Sequence, residues 1–151
     1  MSDTRLLAAS PAELLRQDHD RIRQMFADYD RTAPDLEEAR QHLFEEIRLE
    51  MLVHGKIERE YFYPALETDR PAIQEDHVAL EGLLEKLSEM KVGDKSFDAL
   101  MKLLEENFTL HAAAEERELF SQLERLAPLP RQELTLKLES ARVHSGRARL
   151  G

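Results

Sequence analysis

The chain carries one spaced set of polar residues twice. Asp18-His19 is followed by His54-x-x-x-Glu58, and Asp76-His77 is followed at almost the same interval by His111-x-x-x-Glu115. Laying the second half over the first also aligns Phe62 with Leu119, Tyr63 with Phe120 and Leu66 with Leu123, so the duplication runs through apolar positions too. A repeated unit that cannot bury its apolar face alone must pack against its copy, and here the unit reads as a helical hairpin. Two hairpins closing on each other leave little choice of architecture.

Helical periodicity recurs along the sequence, and no segment reads as a strand. Ser10-Pro11-x-Glu13 is a helix-start signature, after which Leu15, Ile22, Phe26 and Tyr29 follow at helical spacing, predicting a first helix from Pro11 to Asp30. Thr32-Ala33-Pro34-Asp35 breaks the chain. Leu43, Ile47, Met51, Ile57, Phe62 and Leu66 then mark a second helix ending near Thr68, which Pro64 should kink or terminate just past Glu58. Asp69-Arg70-Pro71 opens a third, carrying Ile73, Leu80, Leu84 and Leu87 to Met90. After the turn at Val92-Gly93-Asp94 a fourth carries Phe97, Leu100, Leu104, Phe108, Leu119 and Leu123 and ends before Pro128-Leu129-Pro130. A fifth segment spans Arg131 to Ser145. The predicted fold is all-α: an up-down-up-down four-helix bundle of two repeated hairpins plus a fifth C-terminal helix, one domain over residues 1–151 with its bundle core in 10–127.

Each predicted turn lies midway between consecutive histidines of the set His19, His54, His77 and His111, so an antiparallel bundle brings all four to one level. Each also lies on its helix's apolar stripe: His19 with Leu15, Ile22 and Phe26, His77 with Ile73, Leu80 and Leu84, His54 with Met51 and Ile57, His111 with Leu104, Phe108 and Ala114. Glu58 and Glu115 follow one turn later on the same faces. Two ionised carboxylates in one interior layer cost several kcal/mol and repel each other unless cations accompany them. Bound divalent ions, held by His19, His54, Glu58, His77, His111 and Glu115, satisfy charge, ligand chemistry and repeat symmetry together.

Composition narrows the chemistry. The 151-residue chain has no Cys, which removes disulfides, thiolate ligands and iron–sulfur clusters and leaves nitrogen and oxygen donors. Its formal net charge of −10 opposes nucleic-acid and anionic-membrane partners. The first residues read as neither signal peptide nor membrane anchor, so a soluble cytoplasmic protein is expected. A glycine-rich phosphate loop, a His-Glu-x-x-His motif and a Gly-x-Ser-x-Gly elbow are all absent from the sequence.

The order His, His-x-x-x-Glu, His, His-x-x-x-Glu, with Tyr-Phe-Tyr-Pro after the first Glu and Glu-Leu-Phe after the second, resembles the hemerythrin-like HHE cation-binding domains over roughly residues 10–127. The resemblance implies a non-haem di-iron centre with the six residues above as ligands, and a small ligand such as O2, H2O2 or NO. It departs from the oxygen-carrying hemerythrins at Ile73, where those place a further histidine, and after His111, where Glu115 stands at four and Glu116 at five in place of an aspartate at five. That opens the site and argues against stable reversible oxygen carriage, leaving catalase-like or peroxidase-like redox activity, or oxidation of ferrous iron, as the expectation.

Alternatives remain on the residues alone. Imidazole and carboxylate also suit Zn or Mn, and a non-catalytic iron or oxygen sensor or a structural cation-binding bundle would carry the same ligands. Glu50 and Asn107, one turn before His54 and His111, are either orienting partners for ligand imidazoles or plain polar edges. Tyr61 and Tyr63 are read first as aromatic packing, and second as donors to a bound oxygen species. His42 and His144 are read as surface residues. Gly55 and Ala112-Ala113-Ala114 allow close helix approach. The fifth helix, with Leu134, Leu138 and Ala141 on one strip, is read as a cap, with self-association (monomer or homodimer) or an unknown protein partner as its rival.

Overall fold

The computed structural model describes residues 10–66 and 71–150, without the side chains of Ala72 and of 144–150. The sequence expectations for Thr68, for Asp69-Arg70 and for the side chain of His144 lie outside those residues. No strand occurs among the described residues, and the bundle expected from the repeat is present. No described helix is long and apolar enough to cross a membrane.

Helix α1 covers Pro11–Arg31, with the Ser10 hydroxyl accepting a hydrogen bond from the Glu13 N–H at 3.1 Å, as its start signature requires. Helix α2 covers Glu37–Ile57, α3 covers Pro71–Ser88 and α4 covers Phe97–Glu118. Contacts are densest within the α3–α4 and α1–α2 pairs, the two hairpins of the repeat, and α1 also packs on α4.

Three boundaries differ from the sequence reading, each for a backbone reason. The second helix does not run on regularly to its proline. It widens into a π-helical turn at Glu58–Phe62, where the Tyr63 N–H donates to the Glu58 carbonyl, and then tightens into a 3-10 turn at Tyr63–Ala65 that holds Pro64. The fourth helix breaks at Leu119 and resumes as a short continuation, Phe120–Glu124. The last helix, α5, starts earlier and runs longer than expected, over Pro128–Leu150. Pro128 and Pro130 lie in its first turn, where a backbone N–H has no helical acceptor, so prolines read as a stop are instead a start.

The apolar interior falls into two clusters with a polar layer between. One holds Ile22, Phe26, Phe44, Ile47, Leu84 and Phe108 among others, and the second holds Leu15, Ile57, Phe62, Ile73, Leu119 and Phe120. Along every bundle helix the changeover between clusters falls at the repeated polar residues. Helix α5 buries Leu134 and Leu138 in the second cluster, lying across α1 and α2. Burying two leucines there stabilises the fold by roughly 3 to 6 kcal/mol in area terms, which is what its strip of apolar residues contributes as a cap.

Candidate metal centre

The six residues singled out from the repeat occupy that polar layer together. Glu58, Glu115 and His19 are fully buried, and His54, His77 and His111 nearly so. Two groups of donor atoms form, each within 4.8 Å: His19, His54, Glu58 and Glu115 in one, and Glu58, His77 and His111 in the other. Glu58 belongs to both. Its Oε2 lies 3.0 Å from His54 Nε2 and 3.6 Å from His19 Nε2, while its Oε1 lies 3.5 Å from His77 Nδ1 and 3.8 Å from His111 Nε2. Glu115 spans the same gap, with Oε1 at 3.1 Å from His19 Nε2 and Oε2 at 3.3 Å from His111 Nε2.

Of these contacts, His19 Nε2 with Glu115 Oε1 alone is aligned as a hydrogen bond. His54 Nε2, Glu58 Oε2 and both ring nitrogens of His111 are shielded from solvent and make no aligned hydrogen bond, even though His54 and Glu58 sit within ion-pair distance. Donor atoms converging on a shared centre leave their lone pairs pointing past one another, and an ion at that centre satisfies them. The residues therefore fit bound metal by donor chemistry, burial and orphaned lone pairs.

Without an ion, protons hold the charge balance. Burial disfavours the cationic form of His19, yet its contacts with Glu115, Glu116 and Glu58 outweigh this and push its pKa well above the ordinary imidazole value. For His54, burial is overcome by Glu58 and Asp18, raising it to about 9, and for His111 by Glu115 and Glu58, raising it to about 10. His77 is the exception, lowered chiefly by its burial. Burial also works to raise Glu58, but His54, His111 and His19 hold it well below the usual carboxylate range.

An outer set of carboxylates orients the imidazoles. The His19 Nδ1 contacts Glu116 Oε2 at 2.8 Å, which the Arg23 guanidinium also holds at 3.0 Å. The His54 Nδ1 contacts Asp18 Oδ2 at 3.2 Å, and Asp18 Oδ1 is gripped by Arg21 at 2.5 Å and by Arg142 of α5 at 3.3 Å. Such carboxylate–histidine pairs fix which nitrogen faces the metal. Glu50, considered for this role from the sequence, instead accepts from Arg21 Nε at 2.9 Å. Asp18 was signalled by the repeated Asp-His pair, but its counterpart Asp76 is exposed, so the repeat alone misplaces half of that signal.

Tyr63 corrects the packing interpretation more sharply. Its hydroxyl donates to Glu115 Oε2 at 2.7 Å and lies 3.1 Å from His77 Nδ1 and 3.4 Å from Glu58 Oε1. Burial together with Glu58 and Glu115 pushes the phenol well above its ordinary pKa. Tyr61, by contrast, lines surface grooves beside α5. His42 is exposed and pairs with Glu46 at 3.2 Å, as expected of a surface residue.

Gly55 has a defined task. A Cβ there would lie 2.6 Å from His77 Nε2, closer than non-bonded atoms approach, so hydrogen at this position is what admits the His77 ring. Gly55→Ala is expected to displace the His77 ring and to weaken cation binding by the Glu58, His77 and His111 group at least about tenfold. Metal titration of that variant checks this; affinity unchanged from the unaltered protein would overturn it.

Fold and site together define a helical-bundle protein with a buried cation-binding cluster. A family profile for the hemerythrin HHE cation binding domain matches residues 10–123, and the chain belongs to that family. Among solved structures it resembles an HHE cation-binding domain-containing protein from Mycobacterium kansasii, at 21% identity and a TM-score of 0.81, over 94% of this chain and 91% of that one. No curated protein matches the chain.

Proposed function

We propose that the cluster holds two iron ions, one between His19 and His54 and one between His77 and His111, with Glu58 and Glu115 spanning both. The observation that carries this is the shared Glu58: two converging donor groups meet at one fully buried carboxylate. Iron bound there supplies redox chemistry and Lewis acidity to a small ligand such as O2, H2O2 or NO.

The chain's own residues do the rest. Glu58 and Glu115 offset the ions' charge in a layer that the two apolar clusters keep dry. Asp18 and Glu116 fix the ring orientation of His54 and His19. A cavity of about 10 Å³, walled by Met51, Leu80, Leu84 and Phe108, touches Glu58, His77 and His111. That is room for about one water-sized molecule, the scale of a small ligand such as O2, H2O2 or NO.

The test is metal content followed by oxygen reactivity. Protein produced with ample iron is expected to hold about two irons per chain, and its ferrous form is expected to oxidise in air without returning when oxygen is withdrawn. Zinc alone or no metal would remove the redox reading and leave a structural or sensing bundle. A spectrum that reverses on removing oxygen would instead indicate carriage.

A further inference from the structure

Helix α5 is apolar on two opposite sides. One side carries Leu134 and Leu138, buried in the second cluster. The other carries Leu129, Leu136 and Val143, which remain 64%, 65% and 52% exposed. Leu136 stands about 160° around the helix axis from Leu138, so this second face points away from the bundle. Capping the bundle uses only the first face. Single exposed leucines are ordinary on a protein surface, but three large apolar residues at a strict spacing of seven form the kind of seam that keeps facing a partner helix. Among the described residues Leu103 and Leu110 of α4 share that spacing and stop at two, while Leu36, Leu49 and Val78 stand singly.

The seam is complementary to itself. Turned end for end about Leu136, it sets Leu136 against the partner's Leu136 and Leu129 against the partner's Val143. The flanks match as well. On one side Lys137 comes within about 3 Å, measured along the axis, of the level of the partner's Glu133, and on the other Gln132 comes within about 1.5 Å of the level of the partner's Glu139. Lys137, Glu133 and Glu139 form no ion pair with the described residues of their own chain. Across this stretch Arg131, Lys137 and Arg142 outnumber Glu133 and Glu139, so the face escapes the repulsion that two chains of net charge −10 otherwise impose on each other. That net charge, with a glutamate on each flank of the seam, disfavours an anionic membrane as the occupant.

We propose that α5 is a homodimerisation helix, through which two copies of this chain pair antiparallel about a two-fold axis at Leu136. Antiparallel pairing sets each helix's N-terminus against its partner's C-terminus, the arrangement that the helix dipoles favour. The seam faces away from the bundle, so the two bundles lie on the outer sides of the helix pair and do not collide. A seam one residue wide buries less than the about 1,200 Å² of a stable complex, so the dimer is weak and depends on concentration. Pairing here does not depend on which cation the bundle holds.

Sedimentation equilibrium of the full-length protein tests this. The mean mass is expected to rise from that of one chain toward that of two as concentration rises from about 1 to about 200 µM. Leu136→Glu brings like charges together at the axis and is expected to weaken pairing at least about 100-fold. Its circular dichroism is expected to stay unchanged, because Leu136 is exposed in the single chain. The chain has no cysteine, so engineered thiols report the register directly. Oxidised with diamide, Leu136→Cys is expected to link two chains. Leu129→Cys is not, because its two copies stand about 21 Å apart along the axis, beyond the about 7 Å between Cα atoms that a disulfide spans. A protein that stays monomeric at the highest concentration, whether or not it co-sediments with phosphatidylglycerol vesicles, would overturn the proposal. A dimer that Leu136→Glu leaves intact, or a Leu129→Cys variant that links as readily as Leu136→Cys, would overturn it too.

Discussion

Glu58→Gln is expected to empty the site of both ions, lowering iron from about two to below about 0.2 per chain under conditions that saturate the unaltered protein. The size of the effect follows from position. Glu58 is the one residue common to both donor groups, and each of its oxygens faces a different pair of histidines. A neutral amide keeps the shape but offers one weak oxygen donor and no charge, so each ion loses a ligand and the layer loses half of its designated negative charge. Removing one outer-sphere partner costs about 10- to 100-fold in affinity; removing a shared ligand exceeds that at two places at once. The exposed Glu60→Gln is the matched control and is expected to change nothing. Circular dichroism on both variants separates ligand loss from unfolding. Glu58→Gln protein that still retains two irons would show that Glu58 is not the shared ligand.

The buried polar layer was legible because the repeat supplies register twice. Once four histidines share an apolar stripe and stand equidistant from their turns, antiparallel packing leaves them at one depth, and that is where the structure puts them. The helices were legible for the same reason, since a stripe at helical spacing survives any small error at the ends. What the sequence concealed depends on backbone details with no periodic signature. Nothing in Glu-Arg-Glu-Tyr-Phe distinguishes a π turn from an α turn, so Tyr63 read as packing although one widened turn carries its hydroxyl into the site. The prolines at 128 and 130 are equally compatible with stopping α4 and with starting α5. The outer carboxylates were half visible: Asp18 belongs to the repeated dipeptide, but the grip of Arg142 on it comes from a helix outside the repeat and exists only through tertiary packing.

Protons and metal compete for the same nitrogens, and the competition has a definite sign. In the metal-free protein His19, His54 and His111 carry raised pKa values, the latter two about 9 and about 10. A raised folded-state value contributes stability that is complete below the unfolded imidazole value of about 6.5 and is lost as pH climbs through the folded values. His77, lowered by burial, runs the opposite way and has finished contributing by about pH 6.5. The metal-free protein is therefore expected to melt about 10 °C lower at pH 10 than at pH 6.5, for a loss on the order of a few kcal/mol in a domain of this size. Metal binding requires neutral imidazoles, so between pH 6.5 and 8 it must expel protons from His19 and His54 at the first position and only from His111 at the second. Loading both positions with manganese is expected to release about three protons per chain, counted by calorimetry in buffers of different ionisation enthalpy. Affinity is expected to climb about 100-fold per pH unit at the first position and about tenfold at the second. Release of no protons, or equal pH dependence at the two positions, would mean that the imidazoles are already neutral and that the carboxylates of this layer are balanced in some other way.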